Sequence, residues 1–141
     1  MLKTSYLKVI LVGIFLILAA GIFLWRNFQG ASLADKSDLI QLKNVAPNSL
    51  IKSPLIVIGF ARGYWFFEAS FPIKLLDGNG KEIGLAIAQA QDEWMTENFV
   101  PFKATLEFKK PATDNGTIVL EKDNPSGLPE HADELRIPVR F

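Results

Sequence analysis

The chain has 141 residues, enough for one ordinary domain with an appendage, and its 15 basic and 15 acidic residues give a formal net charge of zero. No basic surplus is present to neutralise phosphates, so composition argues against nucleic acid as a partner. Cysteine is absent, which excludes disulfides, thiolate nucleophiles and cysteine-ligated zinc or iron.

The first predicted element is apolar. Val9 to Trp25 reads VILVGIFLILAAGIFLW, seventeen residues without a charge. As a helix it is about 25 Å long, or about 30 Å counted from Tyr6, which matches a bilayer core. Tyr6 and Trp25 stand where interfacial aromatics belong, and Lys3 and Lys8 favour a cytoplasmic start. Residues 1–27 are therefore expected to form a transmembrane anchor, and 28–38 a short linker. The competing expectation is a cleaved signal peptide, because Ser32-Leu33-Ala34 offers small residues at a cleavage spacing, although the apolar run is long for one. Both readings place residues 39–141 outside the cytoplasm: a single-pass protein of the cytoplasmic membrane in the first case, a secreted one in the second.

From Leu39 the period is two, as strands require. Leu39 to Val45 is a first strand and Leu55 to Arg62 a second. Phe71, Ile73 and Leu75 alternate along a third, which ends at the strong turn Asp77-Gly78-Asn79-Gly80. Ile83, Leu85 and Ile87 mark a fourth, and Phe102, Ala104, Leu106 and Phe108 a fifth. Ile118 and Leu120 follow the turn at Asp114-Asn115-Gly116. Leu135, Ile137, Val139 and Phe141 alternate along the seventh. Pro138 in that strand lacks an amide donor and predicts a sheet edge. Gln89 to Asn98 has room for one helical turn. Seven short strands in about 100 residues predict an all-β fold, an immunoglobulin-like antiparallel β-sandwich. A small barrel is the alternative.

Few residues offer chemistry. His131, the only histidine, lies in a loop rich in proline and charge, so neither a catalytic triad nor a histidine-ligated metal is expected. The loop from Glu121 through Asp123, Asn124, Glu130, Asp133 and Glu134 has oxygen ligands of the kind calcium takes, but not the spacing of a calcium-binding hand. Asp123-Asn124-Pro125-Ser126-Gly127 reads first as turn chemistry. No cofactor and no metal is expected. The richest stretch is Arg62-Gly63-Tyr64-Trp65-Phe66-Phe67-Glu68, whose rings cannot all enter one core from a regular strand. Exposed rings would mark a contact site. One reading puts Trp65 or Phe67 in the core, or makes Tyr64 to Glu68 an irregular bridge between strands that fills the end of the sandwich with Trp94. The other exposes one or two rings, and the candidate binding surface is then Tyr64, Trp65, Phe66 and Glu68, with Trp94, Asp123 and Asn124.

Several separated motifs also carry a resemblance. They are Trp65-Phe66-Phe67-Glu68, Phe71-Pro72, the Asp77–Gly80 turn, Trp94-Met95-Thr96, Phe99-Val100-Pro101-Phe102, Lys122 to Gly127, and Ile137 to Phe141. Over roughly residues 45–141 the chain resembles the immunoglobulin-like domain family named from bacterial spore germination. The resemblance implies a sandwich on exported bacterial proteins and a non-enzymatic interaction role, and it supplies no ligand residues. The expected function is a membrane-anchored envelope domain that binds a protein or cell-wall glycan. The alternatives are a structural subunit of a membrane complex, for which Gly13 and Gly21 would give one small-residue helix face, and a glycan-acting enzyme.

Overall fold

The computed structural model describes residues 35–141. The expected membrane anchor and most of the linker lie outside them. Among the described residues no helix is long and apolar enough to cross a membrane.

The fold is all-β. Its strands are β1 (Ile40–Leu42), β2 (Ser49–Leu50), β3 (Leu55–Arg62), β4 (Ser70–Asp77), β5 (Glu82–Ala90), β6 (Phe99–Leu106), β7 (Asn115–Glu121) and β8 (Glu134–Arg140). They form one sheet in the order β1-β3-β6-β5-β4-β7-β8-β2. The expected pair of separate sheets is corrected in this respect. β5 and β6 join the two halves through the pairs Gln89–Lys103 and Ala90–Phe102, so the sheet curls over on itself without a break.

Alternation decides which side chains meet inside. Val57 and Ala61 from β3, Phe102, Ala104 and Leu106 from β6, Phe71, Ile73 and Leu75 from β4, and Ile118 and Leu120 from β7 are buried together. Phe71 of one half stacks edge-on against Phe102 of the other, with ring centroids 4.9 Å apart. Edge-to-face contact is the favoured geometry for such rings.

Three strand expectations change. The first strand is shorter than Leu39–Val45, because after Leu42 the chain peels from β3 and the Asn44 side chain takes over. β6 begins at Phe99 and ends at Leu106, before the charged Lys109-Lys110 pair. An eighth strand, β2, pairs in parallel with β8 through Ser49–Val139 and Leu50–Arg140. The Pro138 carbonyl accepts from Asn48 N at 2.7 Å on this outer side. A strand residue points its N and its C=O to the same side, so the ring nitrogen of Pro138 also faces outward. β8 is thus next to the edge, covered only by two-residue β2. The segment Gln89 to Asn98 forms no helix: it finishes β5 and continues as bends.

Both edges are short and partly closed. Beside β3, Asn44 Nδ2 donates to the Ile56 carbonyl at 2.6 Å and Asn44 Oδ1 accepts from Ile58 N at 3.1 Å. One amide side chain therefore occupies the backbone groups that a foreign strand would pair with.

Candidate binding surface

The aromatic stretch is an irregular bridge between β3 and β4. Gly63–Trp65 form one 3₁₀ turn, closed by Phe66 N donating to the Gly63 carbonyl at 3.1 Å. Gly63 is required by close approach: a Cβ there would run into the carbonyl oxygens of Trp94 and Thr96. The turn breaks the strict alternation of a strand and sorts the rings. Trp65 is 0 % exposed and Phe66 4 %, whereas Tyr64 is 50 % and Phe67 42 %. Phe66 stacks edge-on against Phe71 at 5.2 Å. Trp65 and Phe66 are core residues and present no ring to a partner, which corrects their place in the candidate surface. The Trp65 Nε1–H has no acceptor among the described residues, a burial that costs about 1–3 kcal/mol.

Phe67 and Ser70 bracket a two-residue hairpin turn, exchanging both backbone hydrogen bonds at 3.0 Å. Its central residues, Glu68 at φ 49° and Ala69 at φ 62°, are left-handed. Such turns favour Asn-Gly, and left-handed backbone costs an ordinary residue about 1–2 kcal/mol. The special backbone is therefore held by its surroundings, including the Ala69 carbonyl, which accepts from Ala90 N at 2.8 Å.

The other candidates gather at the same end. Trp94 is half-buried over Gly63, and Met95 beside it is 75 % exposed. Asp123 N donates to the Trp65 carbonyl at 3.0 Å, tying the loop after β7 to the aromatic turn. Asn124 serves that loop: its Nδ2 donates to the Leu128 carbonyl and its Oδ1 accepts from Ser126 Oγ. His131 is exposed in a single 3₁₀ turn, Pro129–His131.

A cleft of about 550 Å³ lies beside this loop, lined by Pro72, Glu121, Asp123 and Asn124 among others. Three of its four acids are paired with cations among the described residues, and Asp123 is not. Lys74 donates to Glu121 at 2.8 Å, Lys36 pairs with Asp133, and Arg136 donates to Glu134 at 2.8 Å. The hydrogen bond from Glu121 holds Lys74 above its ordinary 10.5, against a smaller opposing effect of partial burial. Among the described residues no cluster of acids, histidines or cysteines is placed to hold a metal ion.

A second surface escaped the sequence reading. On β3 and β5 both parities are apolar, and the large members of one parity point outward. Ile56, Ile58, Leu85 and Ile87 are between 39 % and 55 % exposed. Ile56 pairs across to Thr105 of β6, Ile58 to Lys103, and Lys103 in turn to Gln89 of β5. Ile87, two residues before Gln89, therefore lies on the same outer face. It pairs across to Pro72 of β4. Two aliphatic pairs, Ile56 with Ile58 on β3 and Leu85 with Ile87 on β5, thus flank Thr105 and Lys103 of β6 on the outer face. The signal was legible as LIVIGF and IGLAIA, runs with no polar face.

No curated protein and no solved structure matches the chain. A family model does, over residues 39–127, from the residue before β1 through the Asn124 turn. It includes the aromatic bridge, the strained hairpin turn and the Trp94 loop, and β8 lies beyond it. Since the match spans more than half the chain, this protein belongs to the family described as the immunoglobulin-like domain of bacterial spore germination.

Proposed function

We propose that the chain is a non-enzymatic binding domain of the bacterial envelope, tethered to the cytoplasmic membrane by Val9–Trp25, with the β-domain outside. The uncharged length of that stretch and the lysines before it support the tether. The partner is another envelope protein, contacted through the outer face of β3, β6 and β5. One observation carries this reading: Ile56 and Ile58 on β3 and Leu85 and Ile87 on β5 are exposed on the same outer face, on either side of β6. Contiguous exposed apolar surface marks contact sites. Strand addition is a poorer route, because the edge strands β1 and β2 are only three and two residues long and Asn44 closes the β3 backbone beyond β1.

The test places a photo-crosslinking residue at position 87 of the full chain in its native membrane. One reproducible adduct is expected, absent when the crosslinker stands at Arg140 and lost with Ile58→Lys. Recovery of the uncrosslinked chain alone refutes the reading.

The exposed rings of Tyr64 and Phe67 beside Glu68 favour a second reading, stacking on cell-wall glycan. Tyr64→Ala with Phe67→Ala would then abolish co-sedimentation with purified wall. Unchanged sedimentation removes it.

A further inference from the structure

The end of the domain opposite the aromatic bridge holds two adjoining clefts. β4 runs from Ser70, next to the bridge, to Asp77, next to the clefts, a distance of about 25 Å at 3.3 Å per residue. The smaller cleft, about 480 Å³, has an apolar wall of Leu50, Ile51, Phe108 and Phe141. Phe108 and Phe141 stack edge-on at 5.8 Å, and Leu50 is 57 % exposed within the cleft. Its remaining lining is Lys52, Ser53 and Lys110, with no carboxylate side chain. The larger cleft, about 770 Å³, shares Ser53, Phe108 and Lys110, and adds Lys81 and Lys109 beside Asp77, Glu82 and Glu107.

The charge here runs against the domain as a whole. All 15 acidic residues lie in 35–141, whereas Lys3, Lys8 and Arg26 do not, so the described domain carries a formal net charge of −3. Yet two of the residues lining the smaller cleft are lysines, and none of its side chains is acidic. Neither lysine belongs to the ion pairs of the described residues, which join Lys36, Lys74 and Arg136 to their acids. Ser53 adds a directed donor. Its Oγ accepts from Phe108 N at 2.9 Å, which leaves the hydroxyl hydrogen free for an acceptor.

We propose that this cleft binds a small amphiphile with one anionic head, a phosphate or carboxylate, and a short apolar tail. The tail covers Leu50 and lies along Phe108 and Phe141, removing apolar surface from water. The head meets Lys52, Lys110 and the Ser53 hydroxyl. A neutral apolar ligand would leave both ammonium groups unused, and a cation would be repelled. The volume falls in the range of ordinary small-molecule sites. The proposal is independent of the sheet face and of the membrane tether.

Purified full chain is titrated calorimetrically with hexyl phosphate, against a matched protein-free blank, with hexanoate, hexanol and inorganic phosphate in parallel. Saturable one-to-one binding of hexyl phosphate or hexanoate is expected, and the tighter of the two identifies the head. Hexanol and inorganic phosphate should each bind at least about tenfold more weakly, since each lacks one half of the recognition. Lys52→Gln with Lys110→Gln should weaken binding about tenfold or more at an unchanged melting temperature. Phe141→Ala should weaken it to a similar degree and also lower the melting temperature, because Phe141 packs against the core. Lys43→Gln should change nothing. Absence of saturable binding by both anions overturns the proposal, and so does a double glutamine variant that is folded and binds as tightly as the parent.

Discussion

Ala69 holds a conformation that a glycine would hold more easily. Its φ of 62°, next to Glu68 at 49°, places two consecutive side-chain-bearing residues in the left-handed region. The steric cost for an L-residue there is about 1–2 kcal/mol. Replacing Ala69 with glycine removes that cost but adds about 0.5–1 kcal/mol of unfolded-state freedom. The balance is a gain of about 0.5–1 kcal/mol. For a domain near 100 residues this raises the melting temperature by about 2–8 °C. Thermal melting followed by near-ultraviolet circular dichroism measures it, since Trp65 and its ring neighbours report tertiary packing. Ala61→Gly is the matched control: Ala61 is buried in a regular strand, so the same substitution should lower the melting temperature there. If Ala69→Gly melts at or below the parent while Ala61→Gly behaves as stated, the turn is not strained and the reasoning fails. A variant that is stabilised but loses partner or wall binding would tie the strain to function.

Gly63→Ala should destabilise by about 1–3 kcal/mol, because the new Cβ meets backbone carbonyls of Trp94 and Thr96 that cannot move aside as a flexible side chain would; urea unfolding midpoints measure this. Asn44→Leu removes both hydrogen bonds to the β3 edge. It should cost about 1–2 kcal/mol and promote self-association, detectable by light scattering at raised temperature. Lys74 has a folded pKa raised by Glu121, so its contribution is fully present below its unfolded value near 10.5 and is lost as pH rises through the higher folded value. Melting profiles between pH 9 and 12 should therefore fall more steeply for the parent than for Lys74→Met, and coincident profiles would refute the coupling.

The core was legible because its strands state their inward face in every second residue. Phe71-Ile73-Leu75 and Phe102-Ala104-Leu106 read as buried and are buried. β2 was not legible, since two residues carry no period and its pairing partner lies about ninety positions away. Nor was the join between β5 and β6, where two residue pairs decide between separate sheets and a continuous one. The hairpin turn at Glu68-Ala69 was hidden because neither residue is a turn former; tertiary contacts impose the backbone. The aromatic bridge was found as a segment, but its rings were sorted by the 3₁₀ turn at Gly63, which the sequence does not announce. Trp65, a candidate for the core as well as for the surface, lies in the core. The basic cleft is assembled from β2, the β2–β3 and β6–β7 connections and the residue after β8, and no linear pattern joins Lys52 to Lys110.

The parallel pairing of β2 with β8 has a mechanical consequence. Tension applied between Asn48 and Phe141 draws β2 back toward its beginning and β8 forward toward its end. Two strands that run the same way are then pulled in opposite directions along their shared axis. The bonds from Asn48 N to the Pro138 carbonyl and from Ile51 N to the Arg140 carbonyl, at 2.7 and 2.9 Å, are loaded side by side instead of in succession. Arg140 Nε, donating to the Asn48 carbonyl at 2.9 Å, shares the load. A seam of this kind must rupture as a unit, so the two residues of the smallest strand act together against a pull along the chain.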